Sequence, residues 1–437
     1  MRPVRSRYVT ALEHERLPIG QGPPGASLTD EEAERLLVSN EQHPGFCERG
    51  YRSVTLSQYC GVVALGERVL EILPKVDERL PPEECRGILL RLLRHAGDIP
   101  LPLRAPAGQH LAHAQLLEMF IASFFEAVIG IVKGGLLHRY REAEEDLPVV
   151  RGAIVASRQF ALHSNRPDRI ACRYDDLTVD NTWNRLLKLG LHVVRPWMRN
   201  AALYRQWTEL WAIFGEVDHT LADPRALGRL VYDRHAVRYR AAIEWVGWIV
   251  RLLSPSLRAG ESEVPALLFD TNALFESVVG VLLRRDPGHG VEIDVKETHQ
   301  HLARFVESGP KAYRLLPDLV VRRGEKVVAI GDAKWKRLSV GRNGYLYPRE
   351  SDLYQLHVYA AAFNCPNVAL IYPWHRELAG SRETRLDLRQ AGGGNVSVSV
   401  MCIDLSSDAF AVVRGSDTPE LGRLLELSDA VGRRQSI

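Results

Sequence analysis

Residues 315–337 read LLPDLVVRRGEKVVAIGDAKWKR, and this stretch constrains the fold more tightly than any other. Two apolar runs flank RRGEK, a short polar segment with a glycine, which is the pattern of an antiparallel hairpin. Strand side chains alternate between faces, so Val328, Ile330, Asp332 and Lys334 share one side of the second strand. The chain must therefore hold that strand in a core and still end it in a carboxylate and an ammonium. Charged groups rarely sit on a core strand unless they are paired, bind metal or do chemistry. Pairing of the two runs also brings Asp318, at the head of the first strand, toward Asp332.

Two carboxylates held together repel unless a cation neutralises them. Mg²⁺ suits such a pair, because it takes oxygen ligands and is usually held by one or two carboxylates plus substrate phosphate; Mn²⁺ is the alternative. Lys334 would sit beside the ion, placed to orient water or to stabilise charge developing on a phosphate. That set fits hydrolysis of a phosphodiester. The competing reading is an Asp318/Asp332/Lys334 salt-bridge cluster at a strand end.

Pro317-Asp318, thirteen intervening residues and Asp332-Ala333-Lys334 resemble the motif of the PD-(D/E)xK nuclease superfamily. Pro167-Asp168 is an internal control, since no acid-x-Lys follows it at comparable spacing. The resemblance implies metal ligation by Asp318 and Asp332, helped by the Ala333 carbonyl. In LLFDTNALFESVVGVLLRR, Glu276 flanks an apolar helical face and matches the acidic residue that many members carry before the hairpin. It would support the ligands or hold a second ion, against the alternative of a solvated helix glutamate. In SDLYQLHVYAAAF, Asp352, Gln355 and Tyr359 recur at i, i+3 and i+7 along one helical stripe. Gln355 matches a position used near the DNA backbone, whereas Tyr359 reads equally well as a half-buried packing residue.

FDTNALFES, LLPDLVV, GDAKWK and DLYQLHVYA, together with upstream GVVAL…LEILPKV, GGLLHRYREAEEDLPVVRGAI and DNTWNRLLKLGL, resemble in the same order the McrC family. These are nuclease subunits of McrBC-type modification-dependent restriction systems. The resemblance begins near residue 61, and Thr271 departs from it, standing where a larger apolar residue is expected. It implies an AAA+ GTPase partner of the McrB type that recognises DNA containing modified cytosine, and a subunit that both cuts and stimulates nucleotide hydrolysis. The chain has no GxxxxGK[ST] of its own, and RQAGGGNVS lacks the lysine and reads as a loop. No helix-turn-helix or zinc-finger pattern is present to read a base.

The rest of the chain is consistent with a soluble assembly subunit. Its 437 residues suggest two or three domains, and a net charge of +2 leaves any attraction for nucleic acid to local patches. Six cysteines are scattered without a CxxC or Cys/His cluster, which points to reduced thiols and a cytoplasmic location. MFIASFFEAVIGIV, at 119–132, is too short to span a bilayer and reads as a buried helix, so no membrane association is expected.

Local signals divide the chain into a β-rich N-terminal domain (1–105), a mainly helical middle region (106–255) and the nuclease domain (256–437), with breaks at DIPLPLRAPAG and SPSLRAGESEVP. Thr29 and Glu32 form a capping-box pattern, and Gly66-Glu67 joins two apolar runs as a hairpin. Residues 107–140 read as helix, and the tryptophans of the middle region recur at helical spacing, as core residues do. Lys75 and Arg79 follow a strand and are candidates to face a partner. The expected fold class is α/β (α+β overall), with a restriction-endonuclease-like mixed sheet flanked by helices. Two other functions fit the same residues: a stand-alone DNA repair nuclease, and a non-cleaving activator of an AAA+ NTPase.

Overall fold

The computed structural model describes residues 8–413 apart from 21–26, 42, 67, 98–114, 167, 254–265, 286–291, 297–299, 307–308, 390–394, 408–409 and 411. Both expected breaks, and most of RQAGGGNVS, lie outside the described residues. Residues 1–101 and 268–437 group into one compact unit, and 102–267 into a second. The two ends of the chain thus share a unit, and the expected middle region, 106–255, lies within the other.

In the first unit, the described residues build a seven-stranded mixed sheet. Its order is Glu292–Val295, Leu319–Arg323, Lys326–Ala333, Asn367–Pro373, Asn395–Ile403 and Thr384–Arg389, with Val412–Val413 also pairing Asn395–Ile403. Leu319–Arg323 and Lys326–Ala333 form the expected antiparallel hairpin. Lys326–Ala333 then pairs in parallel with Asn367–Pro373, whose NVALIYP run is almost wholly buried, as a central parallel strand should be. Parallel neighbours need a crossover, and helix Glu350–Ala362 provides it. That helix buries Leu356, Tyr359 and Ala360 in one core cluster with Val320, Ile330 and Val368. Against the edge strand Glu292–Val295, Gly280 of helix Thr271–Arg285 comes so close that a Cβ would lie 3.0 Å from Val295 Cγ2. A register shift at Val321/Arg322 sends Val328 to a separate small cluster with Val321 and Ala329, so it parts company with Ile330.

The N-terminal part of this unit forms a four-stranded sheet in the order Tyr8–Leu12, Val69–Leu73, Tyr59–Ala64, Ala266–Asp270. The expected hairpin pairs Gly61 with Ile72 through Ala64 with Val69, and turns at Gly66 with φ +90°, where a side chain would be strained. Glu71 is buried on the central strand, and Arg86 of helix Pro82–Ala96 donates to both its oxygens, at 2.7 and 2.8 Å. The capping box forms as expected, and Glu32 also takes Arg68 at 2.9 Å.

The second unit packs helices Leu116–Lys133, Thr182–Val194, Ala201–Ile213 and Arg240–Leu253 beside a three-stranded sheet of Arg139–Leu147, Ile170–Thr178 and Ala153–Ile154. The helix expected to run to residue 140 stops at Lys133, and Gly134-Gly135 lead into the strand that starts at Arg139. Trp183, Trp207 and Trp245 are buried, so the aromatic stripe is core. All six cysteines are free and buried. Among the described residues, no helix is long and apolar enough to cross a membrane.

Candidate active site

The hairpin register pairs Leu319 with Gly331 and Val320 with Ile330, and one step further Asp318 falls opposite Asp332. Both side chains are buried, at 9% and 1% exposure. Asp318 Oδ2 accepts the backbone N–H of Ala333 at 2.8 Å, which ties the head of one strand to the end of the other. At the next residue the Lys334 N–H donates to Ile371 O at 2.8 Å, so the parallel neighbour fixes the backbone there.

Lys334 Nζ pairs with Asp332 Oδ2 and donates to Gln355 Oε1 at 3.0 Å. Gln355 Nε2 donates to Tyr359 Oη at 2.8 Å, and Tyr359 donates to the carbonyl of Leu316 at 3.1 Å. The relay closes on itself, because Leu316 precedes Pro317-Asp318. Tyr359 is therefore both core residue and relay member. Asp352, on the same helix, accepts Lys336 Nζ at 2.7 Å and Tyr372 Oη at 3.1 Å.

Burial, then the charges of Asp332 and Glu276, push the Asp318 carboxyl up to about 7. Burial raises Asp332 as well, against the pull of Lys334. Burial also works against charge on Lys334, but Asp332 and Asp318 outweigh it and hold the ammonium above its ordinary range. Asp332 Oδ2 faces that ammonium directly. Two buried carboxylates sharing one lysine form an oxygen donor set that a hard divalent cation fits.

Glu276 stands apart from this pair. It lies on helix Thr271–Arg285, pairs with Lys296 at 3.3 Å and acts on Asp318 through its charge. Among the described residues, no three His, Cys, Asp or Glu side chains gather closely enough to hold a metal ion.

One supporting residue escaped the sequence reading. Glu13, 1% exposed, accepts Trp335 Nε1 and the Lys75 N–H on Oε1, each at 2.7 Å, and Thr271 Oγ1 on Oε2 at 2.7 Å. Trp335 follows Lys334, and its ring lies 5.4 Å from that of Phe275, the neighbour of Glu276. The hydroxyl at position 271, anomalous as a core residue, was the visible signal; the Thr271 backbone N–H donates to Gln58 O at 2.9 Å.

Over residues 54–373, well beyond half its length, the sequence matches the family described as McrBC 5-methylcytosine restriction system component. The chain belongs to that family. No curated protein matches it. Among solved structures, the refined half-complex from the tetradecameric assembly of Thermococcus gammatolerans McrB AAA+ hexamers with bound McrC contains a similar chain. The two are 17% identical with a TM-score of 0.70, covering 98% of this chain and 100% of that one. The cryo-EM structure of the Thermococcus gammatolerans McrBC complex contains a chain 20% identical at a TM-score of 0.50, covering 64% of this chain and 88% of that one. At these identities the likeness speaks to the fold, and it agrees with the mixed α/β architecture.

Proposed function

We propose that this chain is the nuclease subunit of a modification-dependent restriction complex and hydrolyses DNA phosphodiesters at Asp318, Asp332 and Lys334. The observation that carries the reading is the meeting of two buried carboxylates across a fixed hairpin register, under a single lysine. Asp318 and Asp332, with the Ala333 carbonyl, would hold Mg²⁺ or Mn²⁺. Such an ion supplies Lewis acidity toward a phosphate oxygen and a more acidic water. Lys334 stays cationic at neutral pH and donates to charge that develops on the phosphate. Gln355 holds the ammonium in place, and Tyr359 links it to the segment bearing Asp318, so the groups keep their spacing. Glu276, paired with Lys296, tunes Asp318 from a distance.

The partner in this reading is an AAA+ GTPase of the McrB type that recognises modified cytosine in DNA, as family membership implies. Lys75 and Arg79, the cations expected to face that partner, form exposed pairs with Glu78 at 2.9 Å and Glu377 at 3.7 Å, which a partner surface can replace. The test is reconstitution with the partner, GTP, Mg²⁺ and a duplex containing 5-methylcytosine. Cleavage should require all four and stop on chelation. Cutting of unmodified DNA by the chain alone would favour the repair nuclease, and stimulated GTP turnover without cleavage would favour the adaptor.

A further inference from the structure

Strands His301–Arg304 and Lys311–Arg314 pair as an antiparallel ribbon that joins no other sheet among the described residues. Phe305, Val306 and Tyr313 are 61%, 89% and 73% exposed. Scattered apolar residues on a surface need no explanation, but three on one short ribbon mark a contact surface. Arg304, Lys311 and Arg314 are also exposed, and none forms an ion pair with another described residue. The Arg304 guanidinium donates to the Gly309 carbonyl at 3.3 Å.

The ribbon is built onto the proposed active site. At its base, the Leu315 N–H donates to Gln300 O at 3.0 Å, and Leu315 is buried in the core. Leu316 accepts the Tyr359 hydroxyl of the lysine relay, and Asp318 follows two residues later. Four residues span at most about 14 Å, so Arg314 lies within that reach of Asp318. At one phosphate per ~3.4 Å of axis on each strand, this covers about four phosphates.

We propose that this ribbon grips the DNA beside the scissile phosphate, with its cations on the backbone and its apolar side chains against the bases. The inference rests on the nuclease reading and deepens it. Unpaired cations together with exposed aromatic and apolar groups suit nucleic acid, where phosphates attract the first and base faces or groove steps the second. A two-fold contact between the ribbons of two copies is disfavoured, because it would set three cations against three.

The test measures affinity of the full-length chain for a short DNA duplex as a function of salt, in an Asp332→Asn background that prevents cutting. Arg304→Ala/Lys311→Ala/Arg314→Ala should weaken binding at least ~10-fold near 0.1 M salt and flatten the slope of log K against log salt by up to ~2.7, since each phosphate contact contributes ~0.9. Phe305→Ser/Tyr313→Ser should weaken binding without altering the slope, because apolar contacts release no counterions. Wild-type affinity and slope in both variants would overturn the proposal. So would loss of self-association or of partner binding with DNA affinity intact, which would assign the surface to a protein. A chain that binds DNA through the ribbon but never cuts it counts against the nuclease reading alone. A chain that cuts, while both variants bind as tightly as the parent, counts against this inference alone.

Discussion

The carboxylate of Glu13 accepts the indole N–H of Trp335 at 2.7 Å, across 322 positions of sequence. Through Thr271 the same carboxylate holds the start of the helix that carries Glu276. One buried side chain near the N-terminus thus ties together two elements of the proposed nuclease site. Glu13→Ala leaves the buried Trp335 indole N–H and the Lys75 N–H without their acceptor, and Trp335→Phe removes one of the two side-chain donors; each should cost about 1–3 kcal/mol of stability. The double variant should cost less than the sum by more than ~0.5 kcal/mol, as contacting residues do. Urea unfolding of the four proteins measures this, and strict additivity would show that the two residues act independently.

Lys334→Ala should slow single-turnover DNA cleavage at least ~10²-fold, the scale of losing one transition-state donor. Gln355→Ala should cost less, because Asp332 still pairs with the ammonium. The inverse ranking, with Lys334→Ala within a few-fold of the parent, would make the lysine a structural ion-pair partner.

The Glu71–Arg86 pair predicts a stability effect away from the site. Arg86→Met removes the bidentate partner of a buried carboxylate to which the Thr10 hydroxyl also donates at 2.9 Å, and should cost about 3–5 kcal/mol. Adding Glu71→Leu should recover most of that loss, because apolar replacement of a buried pair is often neutral. A double variant as unstable as Arg86→Met would show that lost packing, not the unpaired charge, dominates.

Gly190, inside helix Thr182–Val194, offers a contest of two magnitudes. Alanine is favoured over glycine in a helix by about 1 kcal/mol. A Cβ at 190, however, would lie 2.9 Å from Phe124 Cζ and 3.0 Å from Val246 Cγ2, and overpacking costs about 1–3 kcal/mol. Net destabilisation by Gly190→Ala is expected in thermal unfolding, and a raised Tm would mean that the ring and valine yield freely.

What sequence revealed and what it hid follow from the range of each interaction. Asp318, Asp332 and Lys334 were legible because alternation and a tight turn fix them within one hairpin, and Gln355 because its helix repeats every 3.6 residues. Glu13 was not, since its bonds to Thr271 and Trp335 span 258 and 322 positions and leave no local pattern. The strand Arg139–Leu147 reads as polar, and its first two residues fall at the end of the stretch whose pattern predicts a helix. Its support is lateral, from ion pairs to the neighbouring strand such as Glu144–Arg173 at 2.6 Å. The expected middle region, 106–255, lies within the second unit, 102–267, but a linker shows only where a chain is interrupted, not that Ala266–Asp270 returns to pair within the N-terminal sheet.

The central claim is that Asp318 and Asp332 hold the ion that supports cleavage, and Asp332→Asn tests it most directly. The amide is nearly isosteric but a poor Mg²⁺ ligand. The measurement is single-turnover cleavage of 5-methylcytosine DNA by the reconstituted complex, with GTP turnover of the partner followed in the same reaction. The account predicts that Asp332→Asn abolishes cutting while GTP turnover stays at the parent's level. Cutting at the parent's rate by the Asn variant, with Mg²⁺ present, would contradict it.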